Sequence, residues 1–222
     1  MTVPSPDHPL LWRVLLPYLC FIPLLTFHEF AHAWTAWKCG DHTAKDRGRV
    51  SLNPIVHMEL IGTVVLPLLA LSLGASGSRL ASFIIGWGRP VPVNPWNLRN
   101  RRRDGTLVAL AGPAMNLLLA AILMALARLA DLAHADAVTE LFLQMTILSL
   151  ALCFFNLLPV PPLDGSHVLK NAINMSDETY AKLCQYGFII VIVVIQIRPV
   201  RQAVGMATWH TTLFLARLVG LS

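Results

Sequence analysis

Residues 24–37, LLTFHEFAHAWTAW, place His28, Glu29 and His32 in an otherwise apolar run. On a helix, positions four apart lie about 40° from each other around the axis, so the two imidazoles face one point. H-E-x-x-H on a helix is the arrangement of zinc hydrolases: both histidines bind Zn²⁺ and the glutamate between them is the general base for water. Ionisable side chains inside a hydrophobic span are costly and face a polar interior where they occur, which argues against a merely packed cluster. The stretch therefore predicts a metal site inside a membrane helix.

The composition agrees. The 222 residues are 55% hydrophobic and 13% charged, with a mean hydropathy of +0.61, against about 25% charged in soluble domains. That predicts an all-α polytopic membrane protein of about six transmembrane helices. It would form one integral-membrane domain over residues 1–222, with short β-strand or extended segments at the membrane. The net charge of +5 suits basic loops and gives no reason to expect a nucleic acid partner. The N-terminal run has no Lys or Arg before its apolar stretch and reads poorly as a cleaved leader. Cys20, Cys39, Cys153 and Cys184 form no C-x-x-C pair, so they read as apolar packing residues rather than zinc ligands or a disulfide framework.

Outward from the motif, Leu10–Cys39 is the first span, with Pro17 and Pro23 expected to kink it. His28 falls about 27 Å along the axis from Leu10, near one membrane face. In the polar segment Gly40–Pro54, Arg47–Asn53 fits either a short strand or a loop. Leu60–Leu73 and Leu80–Trp87 are short for full spans and read as two thin spans or a re-entrant hairpin. Pro90, Pro92 and Pro95 keep Arg89–Asn94 extended. Arg99, Arg101, Arg102 and Arg103 mark a cytoplasmic loop by the positive-inside rule, a reading preferred to lipid recognition. Thr106–Ala130 is a clear span in which Ala111, Gly112 and Ala114 let helices approach, and Asn116 reads as a bond to a neighbouring helix. Val138–Leu158 crosses back, and Phe188–Ile197 and Gly205–Leu221 make weaker C-terminal spans. This topology brings His28, Glu29, His32 and Asp164 toward the cytoplasmic face.

A catalytic zinc with two His ligands needs a third protein ligand and a water. Asp164 follows a span that ends at the right face, after prolines that free the backbone to turn inward. Its carboxylate would also offset part of the metal's charge in a low-dielectric setting. His167, three residues on, is the competitor, or a neighbour of the site; His42 and His57 lie in or beside loops. Glu59, Glu140 and Glu178 are the alternatives for a site with a glutamate third ligand, and none lies in a comparable motif.

HEFAH at 28–32 together with NLLPVPPLDG at 156–165 resembles the site-2 protease family of intramembrane zinc metalloproteases. GRVSLNP at 48–54, GRPVPVNP at 88–95 and AGPAMN at 111–116 resemble its compact prokaryotic members, so the likeness runs over residues 20–170. It implies that His28, His32 and Asp164 bind one zinc per chain, that Glu29 activates water, and that Asn156 holds or polarises the scissile carbonyl. The implied reaction is hydrolysis of a peptide bond within or next to a transmembrane segment of a membrane-protein substrate. It would occur in the cell membrane, with the active site toward the cytoplasm. A helical substrate hides its carbonyls in its own hydrogen bonds, so it must unwind, and an extended segment can pair with a strand edge. Arg47–Asn53 and Arg89–Val93 are the expected edges. No PDZ insert fits between the motifs, which leaves substrate filtering to the membrane core or to an adaptor partner.

Two readings from other classes compete. A catalytically silent membrane module binding metal or partner helices would lack the base or the third ligand, yet Glu29 and Asp164 are both present. A metal transporter would need a series of sites along a path rather than one cluster near a single face.

Overall fold

A computed structural model describes residues 10–66, 68, 69 and 88–221. Helix α1 spans Leu10–Lys38 without a break, with Pro17 and Pro23 inside it. The short turn α2 (Thr43–Asp46) follows, then a 3₁₀ turn at Pro54–Val56 and a π-helical turn at Leu60–Val65. After another 3₁₀ turn at Pro95–Asn97 come α3 (Arg101–Leu132) and α4 (Asp136–Asn156). The chain closes with α5 (Asp164–Ala172), α6 (Asp177–Gln185), α7 (Gly187–Gln196) and α8 (Arg198–Val219).

Helix α3 is the hub: it packs against α1 on one side and α4 on the other, and also carries α5. Its buried positions include Val108, Ala109, Gly112, Pro113, Asn116, Ala120 and Met124, a stripe recurring every three or four residues, as a packed helix face requires. The stripe is rich in small side chains, which let helix backbones approach closely inside a membrane. Ala120 and Met124 meet Leu150 of α4 and Leu215 of α8 in one core. The opposite side of α3 exposes Leu107, Leu117, Leu118, Ile122 and Leu129. So large an apolar face is what a lipid-facing helix presents and what a monomeric soluble helix avoids.

Two described helices, α3 and α4, are long and apolar enough to cross a membrane, and the α6–α7 pair, bent by 66°, makes a third if it counts as one span. The expected count of six is therefore not reached among the described residues. Helix α8 is long enough but diluted by polar residues, among them Arg198, Arg201 and His210, whereas in α1 the polar His28, Glu29 and His32 follow a long apolar stretch. The expected Leu60–Leu73 span begins as the π-helical turn, and Leu80–Trp87 lies outside the described residues.

Two expectations are corrected. Helix α3 starts at Arg101 rather than Thr106, because Asn100 caps it: the Asn100 side chain accepts from Arg103 N at 3.0 Å while Asp104 Oδ2 accepts from Asn100 N at 2.8 Å, a reciprocal cap. Arg101, Arg102 and Arg103 thus sit in the first helical turn and not in a loop. No β-strand occurs among the described residues, so neither Arg47–Asn53 nor Arg89–Val93 is a strand edge. Prolines at 54, 90, 92 and 95 remove ladder donors. The two segments are joined instead by one buried side chain: the Arg49 guanidinium donates to the carbonyls of Val56, Arg89 and Pro90.

Candidate metal centre

His28 and His32 project from the same face of α1, and α5 brings in Asp164 from the far end of the α4 connection. Asp164 is the first residue of α5, following a cis peptide bond between Pro161 and Pro162. The start of α5 is pressed onto the end of α4: a Cβ on Gly165 would lie 2.2 Å from the Leu157 carbonyl oxygen. Only glycine permits that approach, and it is what carries the neighbouring carboxylate inward.

The three groups converge. His28 Nε2 is 3.0 Å from His32 Nε2, and Asp164 Oδ2 lies 3.2 Å and 3.3 Å from them. Among the described residues this is the group of His, Cys, Asp and Glu side chains placed to hold a metal ion. Ligand atoms about 2.0–2.2 Å from a tetrahedral zinc lie about 3.3 Å apart, so the spacing fits one zinc held by two imidazoles and one carboxylate. Both histidines are buried, and Asp164 Oδ2 is buried with no hydrogen-bond donor. Acceptor lone pairs facing one another at this distance inside a protein call for a cation between them.

Helix α3 shapes the other side. His32 Nδ1 lies 2.7 Å from the Val108 carbonyl, so the ring donates there and presents its Nε2 lone pair to the centre. A Cβ on Gly112 would fall 2.3 Å from His32 Nε2 and 2.6 Å from His28 Nε2. In sequence Gly112 reads only as a small residue for helix packing, yet it is the floor of the site. No local periodicity marks it for that role.

The centre opens into a cavity of about 960 Å³, whose wall includes Glu29, Val91, Asn156, His167 and Tyr180. Glu29, half-buried, adjoins the two histidines on α1 and lines this space. Asn156 ends α4 on the same wall, its Nδ2 donating to the Leu152 carbonyl at 2.9 Å. His167 lines the cavity against the Tyr180 ring, with centroids 4.9 Å apart, and is outside the three-residue cluster. His57 is engaged elsewhere, with Nε2 2.7 Å from the Ser51 carbonyl, and His42 is exposed ahead of α2. The glutamate alternatives are also engaged: Glu59 accepts from Gly62 N, Glu140 from Gln144 and Glu178 from Lys182.

Arg49 is a second residue that sequence reading passes over. It is 4% exposed, and its three carbonyl bonds hold residues 89–90, of which Pro90 lines the cavity, against residue 56. At the cavity mouth, Arg101 of α3 and Lys170 of α5 both pair with Asp177 of α6, and Arg102 donates to the Ala172 carbonyl at 2.9 Å.

A profile described as Peptidase family M50 matches residues 127–195. A Bacillus subtilis (strain 168) protein named "Putative zinc metalloprotease YwhC" is 39% identical over 191 residues, covering 81% of this chain and 80% of that one. A Mycolicibacterium smegmatis protein named "Putative zinc metalloprotease Rip2" is 38% identical over 177 residues, covering 77% of this chain and 62% of that one. The Mycobacterium tuberculosis H37Rv protein of the same name is 40% identical over 151 residues, covering 66% and 52%. The chain thus spans less than two thirds of the mycobacterial proteins' length. No solved structure matches it.

Proposed function

The chain belongs to peptidase family M50, the site-2 proteases, and from that premise we propose a zinc-dependent endopeptidase acting on a peptide bond within or beside a substrate's transmembrane segment. One observation carries the reading: His28, His32 and Asp164 converge at metal-ligand spacing on the wall of a cavity that Glu29 and Asn156 also line.

In this reading His28 Nε2, His32 Nε2 and an Asp164 carboxylate oxygen hold the zinc, one ion per chain. Zinc supplies a Lewis acid that makes water nucleophilic near neutral pH and polarises a carbonyl. Glu29 takes the proton of the attacking water and returns it to the leaving amine. The Val108 carbonyl keeps His32 in the tautomer that can bind metal. Asn156, at the end of α4, orients the scissile carbonyl. A helical substrate hides its carbonyls in its own hydrogen bonds, so the substrate unwinds before it reaches Glu29. The protein is multi-pass, with the centre toward the cytoplasm and the basic start of α3 on that side. Adaptor partners in the membrane would contribute to substrate choice.

Glu29→Gln is the test. The amide cannot accept water's proton, so zinc content should stay at one per chain while cleavage of a membrane-protein substrate falls by roughly 10²-fold or more. Cleavage at the parent rate would overturn the reading. His28→Ala and Asp164→Ala should each lose zinc by elemental analysis.

A further inference from the structure

Each histidine that binds metal through Nε2 carries its proton on Nδ1, and that proton needs an acceptor if the ring is buried. His32 has one in the Val108 carbonyl. His28 does not: its Nδ1 is buried and without a hydrogen-bond partner. On α3, a further side chain is left in the same condition. Asn116 is fully buried, and neither its Oδ1 nor its Nδ2 has a partner. Its backbone carbonyl, by contrast, is satisfied by Ser149 Oγ of α4 at 2.7 Å. The side of Asn116 that faces α4 is therefore served by main chain, and its amide is spare.

The register of α1 against α3 brings the two orphans to neighbouring levels. His32 contacts Val108, and Gly112 lies against both rings, nearest His32 Nε2 and then His28 Cε1 and Nε2, so α3 passes from His32 toward His28 as its numbering rises. Asn116 comes one further turn along, about 6 Å beyond Gly112, on the His28 side away from His32. Helical side chains lean toward their own N-terminus, which tilts the His28 ring toward that level.

We infer that Asn116 is a positioning residue for the metal centre: one trapped water accepts a hydrogen bond from His28 Nδ1–H and donates one to the Asn116 amide oxygen. A buried water needs polar partners, and these two groups supply them. Buried donors and acceptors left unmade in a native core ask for such an explanation. The inference rests on the zinc reading above and deepens it, since Asn116 would fix the His28 tautomer as Val108 fixes that of His32.

The experiment measures zinc affinity by chelator competition in the full-length, detergent-purified protein. Asn116→Leu removes the acceptor at similar volume and should weaken zinc by roughly 10–100-fold, the scale of lost outer contacts to a ligating histidine. Asn116→Asp keeps an acceptor oxygen and should hold affinity within about threefold of the parent or tighten it. If Asn116 serves only helix packing, both variants lower the melting temperature of metal-free and zinc-loaded protein equally and leave affinity unchanged; that result overturns the inference. A measurement on the parent needs no variant. With ¹⁵N-histidine labelling, zinc-loaded protein should show two slowly exchanging Nδ1–H signals from the centre, and a single one would also overturn it. A parent that binds no zinc would instead remove the function proposed above, so the two failures are distinguishable.

Discussion

Gly112 shows how little room the centre leaves. With a Cβ 2.3 Å from His32 Nε2, even alanine must push a histidine away from the point all three groups share. Alanine is the better helix former, so Gly112→Ala should leave circular dichroism unchanged while weakening zinc by at least about tenfold, read by the same competition assay. Gly165→Ala meets backbone rather than a flexible side chain, the Leu157 carbonyl at 2.2 Å. It should cost about 1–3 kcal/mol in thermal unfolding, as overpacking does. The His28 and His32 pair was legible because both residues lie on one helix and the period alone aligns them. Asp164 was legible from its place after a helix-breaking proline run and from the resemblance. The Val108 carbonyl and Gly112 were not, because their roles exist only once α3 is laid against α1, and no pattern within α3 encodes its neighbour.

Among elements, the two loops expected to offer strand edges are held by side chains. Arg47–Asn53 alternates only weakly and fits a short strand or a loop, and Arg49 is buried and spends its donors on three carbonyls. A residue that bonds across forty positions leaves no periodic trace. Arg49→Met would remove the three bonds that tie these segments together, each worth about 0.5–1.5 kcal/mol. The expected result is a lower melting temperature, with cleavage impaired beyond the loss of stability because the wall at residues 89–93 loosens. Arg49→Lys cannot span the same acceptors and should rescue little. Asp41 ties the same region from the other side: it is fully buried and accepts from Thr43 N and Oγ1, Asn94 N and Asn97 Nδ2. Burial alone would push its carboxyl up, but these bonds outweigh burial and hold it below its ordinary 3.8. The sign follows: the stabilisation is complete above that ordinary value and is lost as pH falls through the lower folded one. Melting temperature should therefore drop on acidification below about pH 4, and Asp41→Asn should flatten that part of the profile.

For the whole molecule, the apolar face of α3 and the two to three candidate crossings predict that the protein stays in the membrane fraction through an alkaline carbonate wash. A cysteine placed at exposed Arg47, beside the basic segment, should react with an impermeant thiol reagent only after cells are opened; labelling of intact cells would reverse the orientation. Membrane class was legible from composition because lipid demands apolar surface at every exposed turn. Helix count was not, since α8 carries polar residues that a hydropathy window penalises and residues 70–87 lie outside the described residues. The floor made by α3 also governs how the ion could leave. Backed by Gly112 on one flank and its own ligands on the others, it is approached, among the described residues, from the cavity that Glu29 also lines. A slim hydroxamate warhead should therefore engage quickly, whereas a bulky stripping agent such as EDTA should act slowly, at a pace set by motions of the helices rather than by its concentration.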